Sequence, residues 1–90
     1  MAMKKLVSIT EVEGEGLPAL MGEKVMLFCM NWVYAGVLVG VNDAFVQLDE
    51  ARLVFDTGKP AATTFAESEP LPSPWYVQTA AIESFGKSGR

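Results

Sequence analysis

From Lys24 onward the chain alternates. Over residues 24–30, Val25, Leu27 and Cys29 fall on one side, and Met26, Phe28 and Met30 on the other. A period of two is the signature of a strand, whose successive side chains point to opposite faces. Asn31-Trp32 is the expected reversal, and 33–41 reads as a second strand. Two glycines, Gly36 and Gly40, interrupt its valines and leucine. Glycine inside a strand forfeits packing and backbone entropy, so it marks a bulge or a sharp bend. A strand that bends twice suits a small, strongly curved sheet. Asn42-Asp43 is a tight turn. Residues 44–55 return as a third strand, with Phe45, Gln47 and Asp49 opposed to Val46, Leu48 and Glu50. The phase is expected to slip around Asp49, Glu50 and Ala51.

The rest of the chain is patterned less clearly. Residues 4–12 alternate weakly and read as a strand, and the acidic EGEG at 13–16 is a break. Leu17 to Met21 makes at most one apolar helical turn, with Pro18 tolerated near its start and Gly22 ending it. Residues 57–74 hold four of the five prolines, with Ser, Thr and Glu, and read as one long loop. Residues 75–79 and 81–85 are the fourth and fifth strands, and GKSGR is expected to fray. The expected fold is mainly β, as a single domain over residues 1–90.

Composition narrows the chemistry. Half of the 90 residues are apolar, too many for a disordered chain. One cysteine and no histidine leave no intrachain disulfide, no histidine base and no basis for a zinc site. The carboxylates Asp43, Asp49, Glu50 and Asp56 lie on or beside one hairpin without a nucleophile, base or metal set, so no enzyme is expected, and no cofactor or metal. The net charge of −4 opposes a whole-surface grip on nucleic acid. The seven cations are scattered, with only Lys4-Lys5 clustered. No stretch has the length of a membrane span and the start is not a signal peptide, so a reducing cytoplasm is the expected compartment.

The order of elements resembles the Sm and Sm-like proteins. The first Sm motif is matched by Gly36, Leu38, Val41, Asp43, Phe45 and Leu48. The preceding LMGEKVMLFCMN looks like the family's helix end and first strand, and LDEARLV like its third strand. The second motif keeps its frame in Val77-Gln78-Thr79-Ala80-Ala81-Ile82 but lacks its Arg and Gly. Divergent bacterial and phage members, of the cyanophage type, look nearer than the eukaryotic splicing proteins. The resemblance implies a strongly bent, five-stranded antiparallel Sm-like (SH3-like) barrel with a short N-terminal helix. It implies a homo-oligomeric ring of about five to seven subunits, the fourth strand of one pairing with the fifth of the next. It places the protein in the cytoplasm of a bacterium or of a phage-infected host.

The resemblance also locates a uridine pocket. Its stacking side chain falls on Ala44, its edge-reading Asn on Val46 and its Arg on Gln78, with Asp43 in place. Ala44 has no π face and Val46 no hydrogen-bonding group, so this pocket is degenerate. Other candidates for contact with single-stranded RNA are Lys4, Lys5, Lys24, Trp32, Lys87 and Arg90. The outer face of the first two strands, with Met26, Phe28, Met30, Val37 and Val39, is unusually apolar. It is expected either to be covered by the N-terminal segment or the long loop, through Phe65, Leu71 or Trp75, or to meet another protein. Two functions follow: a ring acting in RNA metabolism, or a phage or bacterial interaction module that keeps the ring and has lost the pocket.

Overall fold

A computed structural model describes residues 15–90. The expected strand at 4–12 lies outside them. Six strands follow in order: β1 (Lys24–Cys29), β2 (Val33–Val41), β3 (Phe45–Asp56), β4 (Glu67–Pro70), β5 (Trp75–Gln78) and β6 (Ile82–Lys87). The expected helix is a single 3-10 turn, Leu17–Leu20, and a second such turn, Thr79–Ala81, joins β5 to β6. All pairings are antiparallel, in the order β4-β3-β2-β1-β6, with β5 also on β3.

The sheet does not close into a barrel. Among the described residues β6 pairs only with β1, and β4 and β5 only with β3. Among the described residues, β4, β5 and β6 therefore each keep one edge without a strand partner.

The two glycines sit at the two register shifts between β2 and β3. Val37 faces Asp49 and Ala35 faces Arg52, so Gly36 alone opposes Glu50 and Ala51. The extra residue lies on β3, and Glu50 takes φ 52° to absorb it. The second shift, between Leu38 and Gly40, puts the extra residue on β2. Each bulge increases the local twist and bends the sheet.

The expected long loop contains a strand. Residues 67–70 pair with β3 from Arg52 to Asp56, whereas β5 pairs with Phe45 to Leu48. β4 and β5 thus share one edge of β3, interrupted opposite its bulge. There Leu71 N–H donates to the Ala51 carbonyl at 2.8 Å, and Glu50 N–H donates to Ser73 Oγ at 3.1 Å. Strand β4 carries no apolar alternation and ends in proline, which an edge tolerates and a central strand does not.

The core forms on one face of the sheet. Val25, Leu27, Leu38, Val46, Leu48, Ala51 and Val77 are buried together. Burying each large aliphatic side chain contributes about 1.5–3 kcal/mol. Leu17 and Leu20 pack against this cluster from the 3-10 turn. Gly22 N–H donates to the Leu38 carbonyl at 2.7 Å and fixes the approach. Cys29 and Ile82 reach the cluster's rim.

Candidate functional site

The β2–β3 turn is organised by Asn42. Its carboxamide oxygen accepts from Ala44 N–H at 2.7 Å and from Phe45 N–H at 2.8 Å. Asp43 contributes its main-chain carbonyl, which accepts from the Thr79 hydroxyl at 2.8 Å. Thr79 N–H donates to the Ala44 carbonyl at 3.0 Å. The turn is thereby stitched to the segment after β5. The sequence marks Asn42-Asp43 as the turn, but not the double acceptor role of Asn42 or the tie to Thr79. The preference of Asn for accepting main-chain N–H groups two and three residues on was the available signal.

Three of the four positions carried over for a uridine pocket come together here, and the fourth does not. Asp43 and Ala44 are exposed in the turn, and Gln78, opposite Phe45, is exposed beside it. Val46 pairs with Val41 and Val77 and is completely buried. It occupies the core face, because the same alternation that exposes Phe45 must turn its neighbour inward. An asparagine at 46 would bury a carboxamide among aliphatic side chains. Phe45 and Tyr76 instead make a surface pair, with ring centroids 5.1 Å apart and planes at 84°. This edge-to-face contact depends on the β3–β5 register, which no local pattern announces.

Beside this pair, at the open edge of the sheet, lies a cleft of about 610 Å³. Trp32, Tyr34, Tyr76, Gln78, Ile82 and Glu83 line it. Cys29 also contributes, and burial pushes its thiol above the ordinary thiol pKa. Tyr34 is raised by burial and then by the neighbouring Cys29. Both groups are therefore neutral near pH 7, and Cys29 lacks the lowered pKa of an activated nucleophile. Beside the polar Asn31, Gln78 and Glu83 the cleft is apolar and aromatic, a surface for binding. Among the described residues no group of three or more His, Cys, Asp or Glu can hold a metal ion. No helix there is long and apolar enough to cross a membrane.

The apolar outer face is covered in part. Met30 is 88% exposed and Phe28 40%, whereas Met26, Val37 and Val39 are half-buried and Ala35 is buried. The segment expected to fray takes part in structure. Ser88 is buried, and its N–H donates to the Lys24 carbonyl at 2.7 Å, continuing the β1–β6 ladder. The Arg90 guanidinium lies 4.8 Å from the centre of the Phe65 ring, a cation–π contact between the chain end and the 57–66 loop. Lys87 pairs with Glu23 at 3.4 Å, both exposed, which contributes little. Lys4 and Lys5 lie outside the described residues. The chain matches no protein-family model, no curated protein and no solved structure.

Proposed function

We propose that this chain is a ring-forming, Sm-like module that assembles through its open sheet edges and serves as a scaffold for protein contacts. Its place is the cytoplasm of a bacterium or of a phage-infected host. One observation carries the reading: β5 and β6 end the sheet on opposite sides, each short, proline-free and, among the described residues, without a strand partner on its outer edge. Unpaired strand edges template addition of another strand. When the two edges of one subunit differ, the contact is head-to-tail, and it forms a ring where the rotation between neighbours closes. Phe85 adds support. It lies opposite Leu27 and so on the core side, yet it is 42% exposed, at the end of the sheet where no other described strand pairs beyond β6. A neighbouring edge would cover it.

A second reading, RNA binding, has one specific observation in its favour. The exposed Phe45–Tyr76 pair offers a stacking surface, and stacking on an aromatic ring is worth about 1–3 kcal/mol per base. The net charge of −4 and the burial of Val46 weigh against it.

Light scattering on the full chain at micromolar concentration tests assembly. The expected mass is that of about five to seven subunits. Phe85→Lys should shift it to smaller species with an unchanged circular dichroism spectrum. A monodisperse monomer for the unmodified chain overturns the ring. Micromolar binding of fluorescent oligouridine, lost on Tyr76→Ala, would put RNA metabolism ahead of the scaffold reading.

A further inference from the structure

The outer face carries a second, smaller recess, of about 150 Å³, where the start of β1 meets β2 and the bulged middle of β3. Register builds it. Lys24 on β1 lies opposite Val37 on β2, and Arg52 on β3 lies opposite Ala35. Directly opposed residues share a face, so both cations stand on the side away from the core. Between them the lining is small, Ala35 and Gly36, which leaves room above the sheet. Arg90 completes the wall from the chain end. Glu50, at positive φ in the bulge, is the single acidic side chain of the lining.

Three of the molecule's seven Lys and Arg side chains therefore converge on one recess of an acidic protein. None of the three is ion-paired with a described carboxylate. Both arginines are held by part of their donor set. Arg52 Nε donates to Ser68 Oγ at 2.8 Å and its Nη2 to the Ser68 carbonyl at 3.3 Å. Arg90 Nη1 donates to the Thr57 carbonyl and, at 3.4 Å, to the Lys59 carbonyl, with Phe65 against its plane. Neutral carbonyls and a hydroxyl orient these guanidiniums without cancelling their charge. A guanidinium has five N–H donors, so each keeps donors that these contacts do not use. Oriented, uncancelled donors around a small cavity are what a tetrahedral oxyanion needs.

We propose that this recess is an oxyanion site for a phosphate group, held by Lys24, Arg52 and Arg90. The group comes either from a small phosphate or from a nucleic-acid backbone. The site does not depend on the ring.

Titration calorimetry with the full chain tests it, using inorganic phosphate against chloride of equal ionic strength. Saturable binding of one phosphate per chain is expected. Lys24→Gln should weaken it about tenfold, since each charge-assisted contact is worth about 1.5 kcal/mol or more. The Lys24 side chain is exposed and makes no hydrogen bond in the fold, so this variant leaves the structure intact. Glu50→Gln should strengthen binding by removing the one repelling carboxylate. Uridine monophosphate and oligouridine separate the sources. Similar affinity for phosphate and both nucleotides assigns a small phosphate. Tighter oligouridine binding with a steeper salt dependence, still weakened by Lys24→Gln, assigns the backbone. No heat beyond the chloride control, or binding indifferent to both substitutions, overturns the site. Mass measurements on the same variants keep this result separate from the question of assembly.

Discussion

Gly36 shows how one missing methyl group permits the bend. Its φ is not in the left-handed region, so backbone freedom is not what requires glycine here. The requirement is distance. A Cβ at this position would lie 2.9 Å from the Asp49 carbonyl oxygen and 3.2 Å from Ala51 Cα. Both are backbone atoms, which cannot rotate away as a side-chain end can. Gly36→Ala must push β3 off β2 or flatten the bulge, at a cost of about 1–3 kcal/mol. Gly36→Val, larger and branched, is expected to give insoluble protein. Urea melts of Gly36→Ala check this, and an unchanged midpoint would place the close approach elsewhere. Asn42 acts at the same scale through two accepted hydrogen bonds rather than through space.

Among the strands, β3 decides the architecture. Its 12 residues exceed what either β4 or β5 spans, so it carries both on one edge and β2 on the other. The bulge at Glu50 separates the two halves, and its cost falls on one residue. A non-glycine residue in the left-handed region is strained by roughly 1–2 kcal/mol. Glu50→Gly is therefore expected to match or exceed the unmodified chain in stability, the relief offsetting glycine's extra unfolded entropy. Glu50→Val should lose about 1 kcal/mol or more, because a β-branched side chain suits that region least. Thermal denaturation of both variants gives the order, and a valine variant as stable as the glycine one would contradict the bulge geometry.

For the molecule as a whole, the balance between a thin core and an uncovered surface is the dominant fact. Nine apolar residues are buried among those described, while eight large ones, from Met21 to Phe85, stay exposed. A small domain with so much apolar surface gains stability from any partner that covers it. Stability also depends on pH through the aromatic cleft that Cys29 and Tyr34 line. Cys29 and Tyr34 have raised pKa values in the folded chain, so they hold their protons where the unfolded chain has lost them. Their contribution is fully present below the ordinary thiol pKa of about 8.5 and is lost as pH rises through the raised folded values. The melting temperature should fall above about pH 9, and less steeply in Cys29→Ala. An identical alkaline slope in that variant would remove the thiol from the account.

Period-two alternation was sufficient to place β1, β2 and β3, because side-chain direction along a strand is a local property. The glycines likewise announced both bulges: Gly36 stands against the backbone of β3, and Gly40 close to the Gln47 side chain. The 3-10 turn Leu17–Leu20, followed by Gly22 at φ 83°, was legible for the same local reason. Strand β4 was not, because Glu67, Ser68, Glu69 and Pro70 have no strand pattern of their own and pair only where a longer β3 offers its edge. The buried position of Val46 followed from alternation alone, yet carrying over a motif assigned it a pocket role that the core does not allow. The Phe45–Tyr76 pair, the Arg90–Phe65 contact and the three-cation recess join residues far apart in sequence. Only the register of one strand against another brings such groups together, and register is set by the packing of the whole sheet.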